Sequence, residues 1–463
     1  MQILDLKEII KATDGKLVCG KSDIIIKDIC IDSRKVKNGD LFIPIVGEKF
    51  NGHDFIAKAF EEGALAALTS EDIEDAEGSN DKTIISVKDT TKALGDIARY
   101  YRSKFDIPLV GITGSVGKTS TKDMVASVLE QRYNVLKTSG NFNNHIGLPL
   151  TVTSLNSDHE AAILEMGMSG LGEISYLSKI AKPKIAIITN IGMAHIEKLG
   201  SKQNILKAKM EIMEGLPQDG VVVLNGDDSL LLGLKGFLKY KTVYYGTEEG
   251  LDYQAYNVKT MGETGVCFEI AIGNADYKIN IPTPGAHNVY NALAAIAVGS
   301  ELGMSMEEII KGITTYSSGK MRLNIISRKG YKVINDAYNA SPQSMEAAID
   351  VLKDIGGKGR TIAVLGDMLE MGDWAYQAHV DVGKYVASKG INYLMTVGEN
   401  GKNIANGALE SGLPSETVFS FKDNKEINKF LSGFVKDGDL ILVKGSRGMK
   451  MEEIAEELTR NND

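Results

Sequence analysis

Residues 111–121 read GITGSVGKTST, and their flanks say what they are for. An apolar run at 107–112 leads in, and a helical pattern at 118–131 leads out. Strand, glycine turn and helix together let backbone N–H groups curl around phosphate oxygens while the helix dipole favours the negative charge. On this reading Gly114, Ser115, Val116, Gly117, Lys118, Thr119 and Ser120 wrap the phosphates of ATP or GTP. Lys118 reaches the β- and γ-phosphates, and the Thr119 hydroxyl sits on Mg2+. The strict spacing G-x-x-x-x-G-K-[ST] is not met, because Ile112 stands where its first glycine belongs.

Outward from this loop, apolar strands at 161–164, 185–189 and 221–224 recur between amphipathic helices, which predicts a parallel, doubly wound sheet. The stretch 253–281 alternates as antiparallel hairpins do. Pro282, Pro284 and Gly285 end it, and a helix of small residues follows at 289–302. Beyond Ser317-Ser318-Gly319 a second alternation begins, with strands at 331–335, 361–365, 393–397 and 440–444 and helices at 344–355 and 377–389. Short strands and a helix at 54–63 occupy the first 86 residues. The expectation is an α/β protein of three domains. Residues 1–86 form a small α/β N-terminal domain, 87–318 a central P-loop-type, mainly parallel doubly wound sheet, and 319–463 a C-terminal Rossmann-like sheet.

The chain's 463 residues suit about three domains. With 43% hydrophobic and 24% charged residues it is globular rather than disordered. The net charge of −9, with no basic block, argues against nucleic acid. The first 20 residues lack the apolar centre of a signal peptide, and no run reaches the ~18 apolar residues of a membrane span. Cys19, Cys30 and Cys267 form no CxxC and make no disulfide framework. A cytoplasmic monomer acting on small molecules is expected. A GTPase base-reading N-K-x-D is missing, since Asn428-Lys429 runs into Phe430-Leu431. A transporter LSGGQ is missing too, since Leu431-Ser432-Gly433 runs into Phe434.

Two strand ends carry polar groups at the sheet edge where doubly wound folds bind ligands. Glu165 ends one strand, and Asn190 leads from another into His195. They read as Mg2+ ligands, or equally as a turn cap and a surface histidine. Lys209, in a helix spanning 202–215 beside Lys202 and Lys207, reads by pattern alone as a solvated lysine.

The loop, together with NFNNHIGLPLT (141–151), LEMGMSGLGEI (164–174), NIGMAHIEKLGS (190–201), KAKMEI (207–212) and PGAHNVYNALAA (284–295), resembles the Mur ligase family in order and spacing. That family's variant phosphate loop also displaces the first glycine. Three further segments resemble the branch that joins D-alanyl-D-alanine to UDP-N-acetylmuramoyl-tripeptide. They are DSRKVKNGDLFIPIVGEKFNGHDF (32–55), DAYNASPQSM (336–345) and LGDMLEMG (365–372), with KGSR (444–447) closing the set. Ser341, Ala286 and Gly448-Met449 depart from the pattern.

The resemblance implies an ATP-dependent, ADP-forming amide ligase of peptidoglycan synthesis that passes through an acyl phosphate, with two Mg2+ ions. It implies that Lys118, Lys209 and His195 serve catalysis, Lys209 as a carbamate. Thr119, Glu165, His195 and the Lys209 carbamate hold metal. His287, Asn288 and Asn291 lie on the adenine side, and Arg322 and Asp336 close over ATP from the C-terminal domain. Ser33 and Arg34 match the uridine-diphosphate site, and Asn143, Asn144 and His145 face the substrate. Tyr338 and Asn339 read as dipeptide contacts or, equally, as a loop capping the helix near Ser344. Another ligase of the superfamily (an amino-acid-adding enzyme or folylpolyglutamate synthase) and a nucleotide-gated binding protein are the alternatives. The third domain lacks the D-N-P-R of the ligase that precedes this step.

Overall fold

Strands Leu109–Thr113 and Ala161–Glu165 are buried along their whole length, as parallel strands covered on both faces must be. That is why they appear in the sequence as unbroken apolar runs. The computed structural model describes residues 1–72, 82–328, 330–357 and 359–460. The chain gathers into two compact units, one of residues 1–113, 133–186 and 210–221, the other of 114–132, 187–209 and 222–463. The α/β class expected from the sequence is what is found, in several mostly parallel sheets.

In the first unit, Lys16–Cys19, Thr83–Ser86, Ala66–Thr69, Asp40–Phe42 and Asp28–Cys30 lie side by side in a five-stranded sheet. Only the first pair is antiparallel. Phe42, Val36, Ala59, Ala64 and Ala67 pack as the core of this layer. The expected helix at 54–63 is instead a 3-10 turn, Gly52–Phe55, followed by the helix Ile56–Glu61. Asn51 makes the break by capping the turn at the His53 N–H. Val135–Lys137, Ala161–Glu165 and Leu109–Thr113 form a parallel trio in that order. Helix Thr90–Arg102 starts on an Asp89 cap and ends on Arg102. The buried guanidinium of Arg102 donates to the carbonyls of Ala181, Phe105 and Ile107, so its desolvation is offset.

In the second unit the residues beyond 319 build a six-stranded sheet. Its order is Asn324–Ser327, Lys332–Asp336, Leu440–Lys444, Thr361–Gly366, Tyr393–Val397 and Val418–Phe421. All neighbours are parallel except the first pair. Two edge strands, Asn324–Ser327 and Val418–Phe421, were not expected. Both are only half buried and lack the long apolar run that marks a central strand. Tyr253–Thr260, Val266–Ile272 and Ala275–Ile281 form the expected antiparallel hairpins.

The phosphate-loop helix Lys118–Leu129 is backed by Met306–Thr314. These two helices touch at Gly312, where a Cβ would come within 2.4 Å of the Val128 Cα. The Ser127 hydroxyl donates to the Gly312 carbonyl at 2.7 Å. Gly312→Ala therefore forces the helices apart and destabilises the protein by about 1–3 kcal/mol, read as a lower urea midpoint at unchanged slope.

Candidate active site

The loop at 114–120 is stitched to the segment that follows the strand ending at Ile188. The Ser115 N–H donates to the Asn190 carbonyl at 3.1 Å, and the Val116 N–H to Asn190 Oδ1 at 2.9 Å. Thr189 Oγ1 and Asn190 Nδ2 both donate to the Val116 carbonyl, at 2.7 and 2.9 Å. The Gly192 N–H donates to the Ser115 hydroxyl at 2.8 Å. Glycine is required at 114, where a Cβ would stand 1.8 Å from Thr189 Oγ1. Gly117 starts the helix at φ +84°, a conformation that disfavours a side chain. Lys118 turns back on the loop, its Nζ donating to the Gly114 carbonyl at 2.8 Å and lying 3.4 Å from that of Ser115.

Lys209 corrects the pattern-based expectation. It is 1% exposed rather than solvated, because the helix Lys202–Met210 turns this residue inward before Glu211–Gly215 tightens to 3-10 geometry. Burial, and then the charge of Lys118, push its pKa well below the ordinary lysine range. Burial likewise holds the His195 imidazole below its usual range; Glu370 opposes this shift, while Lys118 and Lys209 add to it. Lys118, His195 and Lys209 therefore lie near enough for their charges to act on one another. His195 is partly covered rather than a surface residue, and its Nδ1 lies 2.7 Å from Glu370 Oε2.

Arg322 and Asp336 also reach this region. Arg322 Nη2 donates to Thr119 Oγ1 at 2.8 Å, and its guanidinium lies 4.1 Å from the centre of the Tyr338 ring. Asp336 accepts from the Leu323 N–H and from the buried Lys444, whose Nζ is 2.6 Å from Asp336 Oδ2 and 2.9 Å from the Asn339 carbonyl. Lys444 and Glu370 were missed as site residues. Both sit in segments singled out in the sequence, KGSR and LGDMLEMG, but nothing local indicates which distant partner each one meets.

Asn288 and Asn291, which follow His287, are knitted to the phosphate helix. Asn288 Nδ2 donates to the Pro284 carbonyl at 2.8 Å, Asn291 Nδ2 to Asn288 Oδ1 at 2.9 Å, and the Thr121 hydroxyl to Asn291 Oδ1 at 2.7 Å. Both asparagines are 5% exposed, so their amides serve this internal chain. Burial lowers the His287 pKa.

The remaining expected residues belong to the first unit. Glu165 accepts from Asn143 Nδ2 at 2.8 Å, and its N–H donates to the Thr138 hydroxyl at 2.9 Å. Asn144 Oδ1 caps the start of Gly147–Thr153, accepting from the N–H groups of Ile146 and Gly147, while His145 is exposed. Ser33 is buried. Arg34 is exposed and grips Asp32 through two 2.9 Å bonds, holding that carboxyl down at about 2.

Residues 112–299 match the Mur ligase middle domain, 321–447 the Mur ligase glutamate ligase domain, and 25–102 the Mur ligase family catalytic domain. The chain is 43% identical over 436 residues to the UDP-N-acetylmuramoyl-tripeptide--D-alanyl-D-alanine ligase of Bacillus subtilis (strain 168), covering 94% of this chain and 93% of that relative. Its fold superposes on MurF from Acinetobacter baumannii with a TM-score of 0.90 at 31% identity, each chain covered in full. MurF ligase from Thermotoga maritima, solved in complex with ADP, gives a TM-score of 0.83 at 28% identity over 94% of this chain and 97% of that one.

Proposed function

The chain belongs to the Mur ligase family, and from that premise we propose that it joins D-alanyl-D-alanine to UDP-N-acetylmuramoyl-tripeptide, with ATP converted to ADP and phosphate. It is an ATP-dependent amide ligase. The observation that carries the reading is the phosphate loop of the second unit, folded around Lys118 and hydrogen-bonded through Thr119 to Arg322, 203 residues further along the chain.

A carboxylate is a poor electrophile, and γ-phosphoryl transfer turns the tripeptide's carboxylate into an acyl phosphate with a good leaving group. The difficulty is charge: two anions ~4 Å apart repel by ~4 kcal/mol at an effective dielectric of 20. Lys118, Arg322 and the N–H groups of residues 117–120, at the start of the helix, offset that repulsion and the charge of the transition state. The free amine of the dipeptide then attacks the acyl carbon, phosphate departs, and the amine's extra proton leaves with a basic group or water. His195 orients that amine or accepts its proton. Tyr338 and Asn339 contact the dipeptide, Ser33 and Arg34 the uridine diphosphate, and Asn143, Asn144 and His145 the muramoyl peptide. His287, Asn288 and Asn291 support the adenine side, and Asp336 works with Arg322 over the ATP.

Among the described residues, no three His, Cys, Asp or Glu side chains stand together as a metal cage. Mg2+ suits such a site, since it takes phosphate oxygens and waters with only one or two protein ligands. In the second unit Thr119 and His195 offer it a hydroxyl and an imidazole, and bound there Mg2+ would supply further positive charge against the phosphates; Glu165, the carboxylate expected beside them, belongs to the first unit. The fully buried Lys209 amine fits the uptake of carbon dioxide as a carbamate, which needs a neutral amine and yields an anionic oxygen ligand. The same reading places domain boundaries near residues 87 and 319 and the enzyme in the cytoplasm. Among the described residues no helix is long and apolar enough to cross a membrane.

Phosphate release measured with each substrate omitted in turn is the test. Release is expected only when ATP, the UDP-muramoyl tripeptide and D-alanyl-D-alanine are all present. Turnover with ATP alone would favour a nucleotide-gated switch.

A further inference from the structure

The segment LGDMLEMG, residues 365–372, has no role in the scheme above, yet its backbone is pinned residue by residue. The Asp367 carbonyl accepts from the Ser446 N–H at 3.0 Å, and Asp367 Oδ1 from the Gly401 N–H at 2.7 Å. The Met368 N–H donates to Nε2 of the fully buried His379 at 2.9 Å, and His379 Nδ1 lies 2.6 Å from the Ala375 carbonyl. The Leu369 N–H donates to the Ser446 hydroxyl at 2.8 Å. Three consecutive residues are thus held by buried or half-buried partners, and the fourth, Glu370, is driven to φ +62°. A residue with a Cβ occupies that region only where its surroundings impose it. Gly372 then closes against the next segment, where a Cβ would meet Glu197 Cγ at 3.0 Å.

These constraints bring Glu370 Oε2 to 2.7 Å from His195 Nδ1, and His195 itself stands at φ +62°. An ion pair between flexible surface chains carries little weight. The Glu370 side chain is itself 59% exposed, and what sets this pair apart is that it joins two residues held in left-handed backbone by their own segments, one from each side.

We infer that Glu370 is a positioning residue for the ligase reaction: its carboxylate accepts the Nδ1 proton of His195 and leaves Nε2 as the nitrogen the imidazole presents. The inference rests on the ligase reading. A neutral imidazole has one donor and one acceptor nitrogen, so a hydrogen bond at one selects the role of the other. Glu370 sets both the ring's orientation and its tautomer. Carboxylate partners of this kind typically change activity or metal affinity 10–100-fold when removed.

The experiment compares Glu370→Ala, Glu370→Gly and Glu370→Gln in the full chain. The readouts are steady-state kinetics and the nitrogen-15 signature of His195 without ligands. Wild type is expected to carry the Nδ1–H tautomer, and Gln, whose amide oxygen still accepts, keeps both tautomer and rate. Ala and Gly lose the tautomer preference and lower kcat by about 10–100-fold, with the KM for ATP changed less than about twofold. The Gly variant relieves the left-handed backbone and folds even where Ala does not. Equal losses in the two assign the effect to the carboxylate. Trp374, the chain's one tryptophan, reports on the loop four residues away. A shifted emission accompanying the loss would assign it to loop structure and overturn the inference. So would an Nε2–H tautomer in wild type, or a kcat for Ala and Gly within about twofold of wild type. If wild type needs only ATP to release phosphate, the ligase reading fails, and the tautomer still judges the Glu370–His195 pairing on its own.

Discussion

Lys118→Ala lowers kcat by about a thousandfold, equivalent to about 4 kcal/mol of transition-state stabilisation, and leaves the folded protein intact. Removing one preorganised neutral donor from a developing anion already costs 10²–10³-fold, and this donor carries a full charge. Its amine now lies against the carbonyls of Gly114 and Ser115, the place from which it can swing onto the phosphoryl oxygens being transferred. The loop itself does not depend on the amine. Asn190, Thr189 and Gly192 hold Ser115 and Val116 through five separate hydrogen bonds, so thermal unfolding should change little. Single-turnover phosphate release checks the first half, and a melting curve the second. A loss smaller than about tenfold would mean that the charge is supplied elsewhere.

Lys209 carries the second large effect, and it pulls activity and stability in opposite directions. Lys209→Ala lowers kcat by about 10²–10³-fold, and a short-chain carboxylic acid restores part of it by placing an oxygen ligand in the vacated space. Full activity in the alanine variant would exclude the carbamate role. Lys209→Met, equally inactive, is more stable than wild type near neutral pH. The sign follows from proton binding. Burial lowers the folded-state pKa, so below the ordinary lysine value of ~10.4 the unfolded chain holds the extra proton, and wild-type stability rises with pH. Methionine has no proton to lose, so its advantage is largest near pH 7 and shrinks towards pH 10. Urea midpoints of both proteins across that range test it, and a constant difference would refute it.

The architecture was legible where strands are buried on both faces. Tyr393–Val397 and Leu440–Lys444 begin and end where the sequence pattern puts them, because a parallel strand covered by helices is apolar almost throughout, with Thr396 and the terminal Lys444 the exceptions. The phosphate loop was legible for a related reason, since its glycines answer to a local backbone requirement. Edge strands were not: Lys16–Cys19 exposes three of its four residues, and half-exposed strands follow their cross-strand neighbours more than their own composition. Lys209 was misread from its pattern because charged helix residues usually face water, and KAKM gives no sign that Lys207 and Lys209, two positions apart, fall on opposite sides of the helix. Asn144 shows another limit. Its motif pointed to substrate and gave no sign that its carbonyl oxygen also starts a helix, which leaves the amide NH2 for any ligand. Glu370 shows the last, because its partner lies on a different segment and neither residue names the other.

Lys118, resting on its own loop, makes the enzyme selective before any base or sugar is recognised. Chloride, sulfate or orthophosphate entering the cradle must dislodge an amine already satisfied by two carbonyls, and a small anion has too few oxygens to compensate. A polyphosphate spans the whole turn and can. Because the receptacle is shaped in advance, no ordering of the loop is subtracted from nucleotide affinity, and ATP should dock at a rate governed by encounter rather than by rearrangement.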